Sequence, residues 1–168
     1  RKKKKPIRVN KPIVILGVGN YLMGDEGLGV HLAKLLEQES LSEEISVIDG
    51  GSGGFKLMEY IDQEASIILV DATLDGKPPG SIRMIEPRFA SDFPKAMSTH
   101  EIGLKDLVES LILLGRMPRI YLFVVSIAEI QPLSIELSPE VSACLPVLKT
   151  QVLELAAKLV EETLVQTT

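Results

Sequence analysis

Three side chains that could bind a metal or transfer a proton stand close to predicted strand ends or helix starts: Glu26, Asp71 and His100. Glu26 lies in a glycine-rich segment, Asp71 directly follows the apolar run 67–70, and His100 lies in a long loop. Two carboxylates and one imidazole form a three-ligand set that leaves coordination positions open. Such a set suits Ni²⁺, Zn²⁺ or Mn²⁺, and either carboxylate could also act as a general base.

The other histidine, the cysteine and one serine are weaker candidates. His31 lies five positions after Glu26, about 140° away around a helix, so the two cannot easily share a ligand. We expect His31 to pack at a helix surface, and Cys144, which has apolar neighbours on a predicted helix, to be a small buried residue. Ser52 fits the pattern Gly-x-Ser-x-Gly and is followed by an acid and a histidine, so a nucleophilic serine stays open.

The glycines around Glu26 do not form a nucleotide-binding loop. Gly17 and Gly19 match the start of a dinucleotide fingerprint, but position 22, where the third glycine belongs, is a leucine. A P-loop needs Lys and then Ser or Thr after Gly24, where this chain has Asp25 and then a second acid. We therefore expect no nucleotide cofactor. Acids in a first helical turn compensate the helix dipole, yet so many glycines also indicate a close backbone approach.

Short β-branched segments alternate with helical patterns along the chain. The predicted strands are 13–18, 45–48, 66–70, 81–85 and 120–127, and the predicted helices are 27–39, 55–61, 104–114 and 139 to about 162, with Pro146 kinking or interrupting the last one. This order predicts an α/β three-layer sandwich, in which helices cover both faces of a mostly parallel sheet of about five strands. The short link between the third and fourth strands would allow that pair to be antiparallel. Ligands of such sheets bind beyond the carboxyl ends of the strands, where Glu26 and Asp71 are expected.

Length and charge fit one domain with a basic extension. The chain has 168 residues and a net charge of −5, but seven of its basic residues fall within positions 1–11, which leaves −12 for the remainder. We predict a flexible basic tail over 1–11 and a single α/β domain over 12–168. The acidic domain argues against nucleic acid as a partner. No apolar stretch reaches about 20 residues, so no membrane span is expected, and a single cysteine fits a reducing, cytoplasmic compartment.

In several segments, and in the same order, the sequence resembles the nickel–iron hydrogenase maturation endopeptidases. These segments are 16–20 with 24–30, 49–52, 70–72, 98–104, and 131–132 with 137–141. The resemblance implies an α/β sandwich around a five-stranded sheet. It also implies an endopeptidase that removes the C-terminal tail of a hydrogenase large-subunit precursor once nickel is inserted. The sequence departs from the family in its basic tail and at Glu129 and Ile130, where a smaller residue is expected.

The resemblance also implies roles for individual residues. The family's metal-contacting residues map onto Glu26, Asp71 and His100, which would be both ligands and catalytic groups, and the nickel that they contact would be supplied by the substrate. The substrate cleft would be lined by Asp49, Gly50, Gly51 and Ser52. Two alternatives stay open: a nickel-dependent assembly chaperone of the same partner that does not hydrolyse it, and a related peptidase that acts without nickel. The oligomeric state is also left open.

Overall fold

The computed structural model describes residues 13–51, 65–94, 109–115 and 118–166. Within these ranges the chain forms one sheet of five strands. The strands are β1 (Ile13–Val18), β2 (Ile45–Gly51), β3 (Ser66–Thr73), β4 (Ile82–Ile85) and β5 (Arg119–Ser126). The helices are α1 (Leu28–Leu36) and α2 (Pro139–Gln166), with 3-10 turns at Gly24–Gly27 and Ala90–Asp92 and a helical segment at 109–113. None of these described helices is long and apolar enough to cross a membrane.

The strands follow the order β2-β1-β3-β5-β4, and all neighbours are parallel except β4, which runs antiparallel to β5. The predicted α/β architecture with a mostly parallel sheet of five strands is therefore confirmed. The expected antiparallel pair of the third and fourth strands is wrong. β4 is antiparallel, but it pairs with β5, which lies between β3 and β4. The link from β3 to β4 crosses the end of β5, where the Gly80 N–H donates to the Ser126 carbonyl at 2.8 Å and the Ser126 N–H donates to Ser81 at 2.9 Å.

Both faces of the sheet are covered by apolar side chains, as continuous apolar strands require. One cluster joins alternate residues of β1, β3 and β5 to the buried faces of α1 and α2. The second cluster lies on the opposite face, where Phe93 is buried against the strands and Ile112 of the helical segment packs against them. This arrangement places described helical residues on both sides of the sheet and confirms the layered architecture.

Several elements differ in length from their predictions. β2 continues to Gly51 and β3 to Thr73, so Asp49 and Asp71 lie inside strands rather than in the loops after them. α1 ends at Leu36, earlier than expected. The expected interruption at Pro146 is wrong, since α2 runs through this residue as one helix of 28 residues, while the alternative of a kink stays a prediction. Its buried side chains on the sheet hold the helix together across the one backbone hydrogen bond that a proline cannot donate.

Some predictions fall on residues outside the described ranges. The predicted helix 55–61 lies wholly outside them, and only the last part of the predicted helix 104–114 lies within them, where 109–113 is helical. The basic tail over 1–11 also lies outside. The division into a tail and one domain therefore stays a prediction.

The start of α1 lies in direct backbone contact with the two central strands. A Cβ atom at Gly29 would lie 2.4 Å from the Val18 carbonyl oxygen in β1 and 2.5 Å from the Val70 carbonyl oxygen in β3. A Cβ atom at Gly17 would lie 2.0 Å from the Gly29 carbonyl oxygen. The glycine-rich segment thus marks a close backbone approach, as expected, and its partner at these positions is the chain's own backbone.

We expect Gly29→Ala to destabilise the protein by about 3 kcal/mol or more, at or beyond the upper end for overpacked sites. The methyl group meets backbone oxygens on two strands, and neither strand can move without breaking the sheet. The free energy of unfolding in urea measures the effect. Gly51→Ala is the control, because Gly51 has a φ of +58° but open space around its Cβ position. That variant should lose only about 1–2 kcal/mol from its backbone strain, and an equal loss in both would contradict the packing argument.

Candidate functional site

The strand order places a topological switch point between β1 and β3, at the carboxyl edge of the sheet. From β1 the chain crosses to β2 on one side, and β3 then returns to pair on the other side of β1. The direction of strand progression therefore reverses between β1 and β3. Open α/β sheets bind their ligands at such a switch point, where the connections diverge and leave space.

Glu26 and Asp71 lie on the two sides of this switch point. Glu26 is buried in the 3-10 turn Gly24–Gly27 that follows β1, and this turn packs against β3. Asp71 is buried within β3 itself, where its Oδ1 accepts the Ala72 N–H at 2.8 Å. Burial of carboxylates is expensive unless hydrogen bonds or a cation compensate the charge. Their shared place at the switch point fits a group that binds or transforms a ligand.

The third member of the predicted set, His100, lies outside the described residues. Within the described ranges no three His, Cys, Asp or Glu side chains are grouped so as to hold a metal ion. Carboxylate oxygens and an imidazole nitrogen suit a divalent transition metal such as nickel. The assignment of Glu26, Asp71 and His100 as ligands and catalytic groups therefore stays a prediction.

Part of the predicted substrate segment lines a cleft beside the turn. Asp49 and Gly51 border a space of about 260 Å³ together with residues of the loop after β1 and of α1: Gly19, Asn20, Tyr21, Val30 and Lys34. The Gly51 N–H donates to Asp49 Oδ1 at 2.9 Å, and Gly51 accepts the Gly19 N–H at 2.8 Å. Gly50 is buried and faces the core near Leu16, and Ser52 lies outside the described residues. Substrate binding by this segment stays a prediction.

Sequence reasoning missed the role of Asp25, which it explained only as a helix-dipole acid. Asp25 is buried, its Oδ1 accepts the Ser138 N–H at 2.7 Å and its Oδ2 accepts the Gln131 Nε2–H at 3.1 Å. The Gln131 Oε1 in turn accepts the Asp25 backbone N–H at 2.9 Å. This Asp25 clamp ties the turn that carries Glu26 to the segment before α2. The partners lie more than 100 positions away, so no local pattern could reveal them.

Comparison with known proteins identifies the family. The family model described as hydrogenase maturation protease matches residues 30–155, which is most of the chain. The chain belongs to the hydrogenase maturation protease family. The hydrogenase 2 maturation protease of Escherichia coli K12 is 32% identical over 144 residues, which cover 84% of this chain and 88% of that relative. The resemblance seen in the sequence is thereby confirmed.

Solved structures of family members share the fold. The hydrogenase maturating endopeptidase HybD from E. coli has 31% sequence identity and a TM-score of 0.74, over 87% of this chain and 92% of that one. The HybD protease from Thermococcus kodakarensis has 28% identity and a TM-score of 0.69, over 86% and 98% of the two chains. The chain studied covers a smaller share of other relatives. It spans only 52–59% of the length of several hydrogenase expression/formation proteins that it matches, among them HupD of Bradyrhizobium diazoefficiens.

His31 and Cys144, the two weaker candidates that the structure describes, are packed against other parts of the chain. The His31 ring packs against Tyr21 with 4.8 Å between ring centroids, and partial burial is the main cause that lowers the pKa of His31. Cys144 is a free, buried cysteine on α2, and burial raises the pKa of its thiol. A raised pKa keeps the thiol protonated and unreactive. The packing role predicted for His31 and the buried role predicted for Cys144 are both confirmed.

Proposed function

We propose that this chain is an endopeptidase that removes the C-terminal tail of a nickel–iron hydrogenase large-subunit precursor after nickel insertion. Membership of the hydrogenase maturation protease family supports the reaction class. The observation that carries the proposal is the burial of two carboxylates on the two sides of the switch point of the sheet: Glu26 in the turn that follows β1, and Asp71 in β3. Cytoplasmic location, where a precursor would be assembled, belongs to the same proposal.

The nickel in this proposal is part of the substrate. Glu26, Asp71 and His100 would contact the nickel of a loaded precursor and so place its scissile peptide at the cleft beside Asp49. Two carboxylates and an imidazole leave coordination positions for groups that the substrate brings with it. Hydrolysis would then use either a carboxylate as general base or a carbonyl or water polarised by the metal. An unloaded precursor would lack this anchor and would be cut poorly.

The decisive experiment incubates the protein with nickel-loaded and nickel-free precursor and follows the intact mass of both. We expect a C-terminal fragment to be lost from the loaded form only. Glu26→Gln and His100→Ala should each suppress this loss. Glu109→Gln is the matched control, because it removes a charge from an exposed carboxylate on the helical segment before β5.

Two results would contradict the proposal. Cleavage of both precursor forms at equal rates would show that nickel is not recognised and would favour a peptidase that acts without the metal. Binding of the loaded precursor with no change in its mass would favour the non-hydrolytic assembly chaperone. In either case the variants at Glu26 and His100 would separate loss of binding from loss of cleavage.

A further inference from the structure

Three large aliphatic side chains are exposed on two segments that lie side by side next to the Glu26 turn. Leu22 is 56% exposed, Leu133 91% and Ile135 51%. The Ser134 N–H donates to the Leu22 carbonyl at 3.0 Å, and the Gly24 N–H donates to the Ser134 carbonyl at 2.7 Å. These bonds hold the two segments together, so the three side chains border one surface. We call this surface the apolar rim (Leu22, Leu133 and Ile135).

The backbone of the rim is strained at its most exposed residue. Leu133 has a φ of +56°, and it is the only described residue other than glycine with a positive φ. Glycine and asparagine adopt this left-handed conformation much more readily than leucine does. The leucine side chain gains almost no burial in return, because it lies open to solvent. Residues other than glycine that adopt such sparsely populated backbone conformations cluster at functional positions.

The rim is continuous with the candidate site. Leu22 lies two residues before the turn that carries Glu26, while Leu133 and Ile135 lie between Gln131 and Ser138, the two partners of the Asp25 carboxylate. A folded protein that brings its own chain to Glu26 must therefore lie against or beside the rim. Exposed apolar groups next to a binding site commonly mark a protein-interaction surface.

The charges around the rim indicate what kind of surface would cover it. Residues 128–140 contain three exposed glutamates and no lysine or arginine: Glu129, Glu136 and Glu140. A partner with apolar side chains flanked by basic residues would complement this segment, because opposite charges across an interface favour encounter and register. A second copy of this chain fits less well, since its own rim carries the same acids and like charges across an interface oppose association.

We propose that the apolar rim is the docking surface for the protein substrate, and that an apolar segment of the large-subunit precursor with basic flanks covers it. This inference rests on the proposed function for the identity of the substrate. In this arrangement the rim binds the folded body of the precursor, while the cleft beside Asp49 receives the segment that is cut. Leu133 contributes to substrate affinity and not to the chemical step.

The test uses Leu133→Asn, because asparagine tolerates the left-handed backbone and removes the apolar side chain. We expect a Tm no lower than that of the wild type, a KM for nickel-loaded precursor about tenfold higher, at the lower end for the burial of a leucine side chain, and a kcat within about twofold. Leu113→Asn is the matched control, since Leu113 is 87% exposed on the helical segment before β5, at the amino end of that strand. It should change none of these values. Glu136→Lys should also raise KM, and more so at low salt.

Parallel binding measurements separate this inference from the proposed function. If the wild type cleaves the precursor and Leu133→Asn has the same KM as the wild type, the docking role of the rim is overturned and the endopeptidase proposal stands. Binding that weakens in Leu133→Asn without any cleavage by the wild type would overturn only the endopeptidase proposal. A wild-type chain that neither binds nor cleaves the precursor would overturn both. Sedimentation velocity tests the remaining occupant. If the wild type is a dimer and Leu133→Asn is a monomer, a second copy covers the rim, and the proposal that the precursor covers it is overturned.

Discussion

Asp71→Asn should leave the fold intact and slow cleavage of a nickel-loaded precursor by about 10³-fold, within the range that general acid–base groups contribute. The amide is isosteric with the carboxylate, and its oxygen can still accept the Ala72 N–H that Asp71 Oδ1 accepts at 2.8 Å. The substitution removes a negative charge from a buried position. Because the desolvation of a buried charge destabilises the folded state, we expect a Tm equal to or above that of the wild type.

The same variant distinguishes the two roles that Asp71 can have. If Asp71 binds the nickel, the affinity of Asp71→Asn for loaded precursor should fall toward its affinity for unloaded precursor, because only Glu26 and His100 would still contact the metal. If Asp71 acts only as a base, the affinity for loaded precursor should stay at the wild-type value while turnover is lost. Asp92→Asn is the matched control, because Asp92 is an exposed carboxylate in a 3-10 turn. Wild-type turnover by Asp71→Asn would remove this residue from the chemistry.

The strands of this chain were the easiest elements to predict, because their apolar runs are short and bounded by polar or glycine residues. β1 has the predicted bounds, 13–18. β3 was predicted to end before Asp71, since an acid seldom lies inside a buried strand. In the structure Asp71 pairs with Val124 and the strand continues to Thr73, which pairs with Ser126. The departure from the local rule falls at a candidate functional residue, as expected where function overrides folding preference.

Contacts between distant segments could not be read from the sequence. The position of β5 between β3 and β4 depends on pairing partners that no local pattern encodes. The glycines signalled a close approach, but only the structure identifies the backbone of Val18 and Val70 as what Gly29 approaches. The carboxyl-edge rule did place Glu26 and Asp71 at one edge of the sheet, because that rule follows from parallel topology alone. His100 and Ser52, which completed the predicted site, lie outside the described residues.

Asp25→Asn should lower both stability and cleavage, although it changes a single atom. In the wild type the Asp25 carboxylate accepts two N–H groups, from Ser138 and Gln131, while Gln131 accepts the Asp25 backbone N–H. The new amide nitrogen would face either the Gln131 amide or the Ser138 N–H, and turning the Gln131 amide would place its nitrogen against the backbone N–H of position 25. Every orientation leaves one donor against another donor. We expect a loss of about 1–3 kcal/mol in the free energy of unfolding, typical of a buried unsatisfied polar group.

The hydrogen-bond pattern also predicts a rescue. With Gln131→Glu added to Asp25→Asn, the new carboxylate can accept both the backbone N–H of position 25 and the new amide, while the amide oxygen still accepts the Ser138 N–H. Gln131→Glu alone should be destabilising too, because it sets a carboxylate against Asp25. The double variant should therefore be more stable than either single variant, which urea unfolding of all four proteins measures as a coupling energy.

Cleavage rates in the same four proteins show whether the Asp25 clamp positions Glu26 or only stabilises the fold. The rates are measured at a temperature where far-UV circular dichroism shows every variant to be fully folded, so that a lower kcat reflects the position of the turn. We expect kcat to fall in both single variants and to recover in the double variant. Recovery of stability without recovery of kcat would assign the clamp to folding alone. Failure of both to recover would mean that the amide and carboxylate do not exchange hydrogen bonds as their distances indicate.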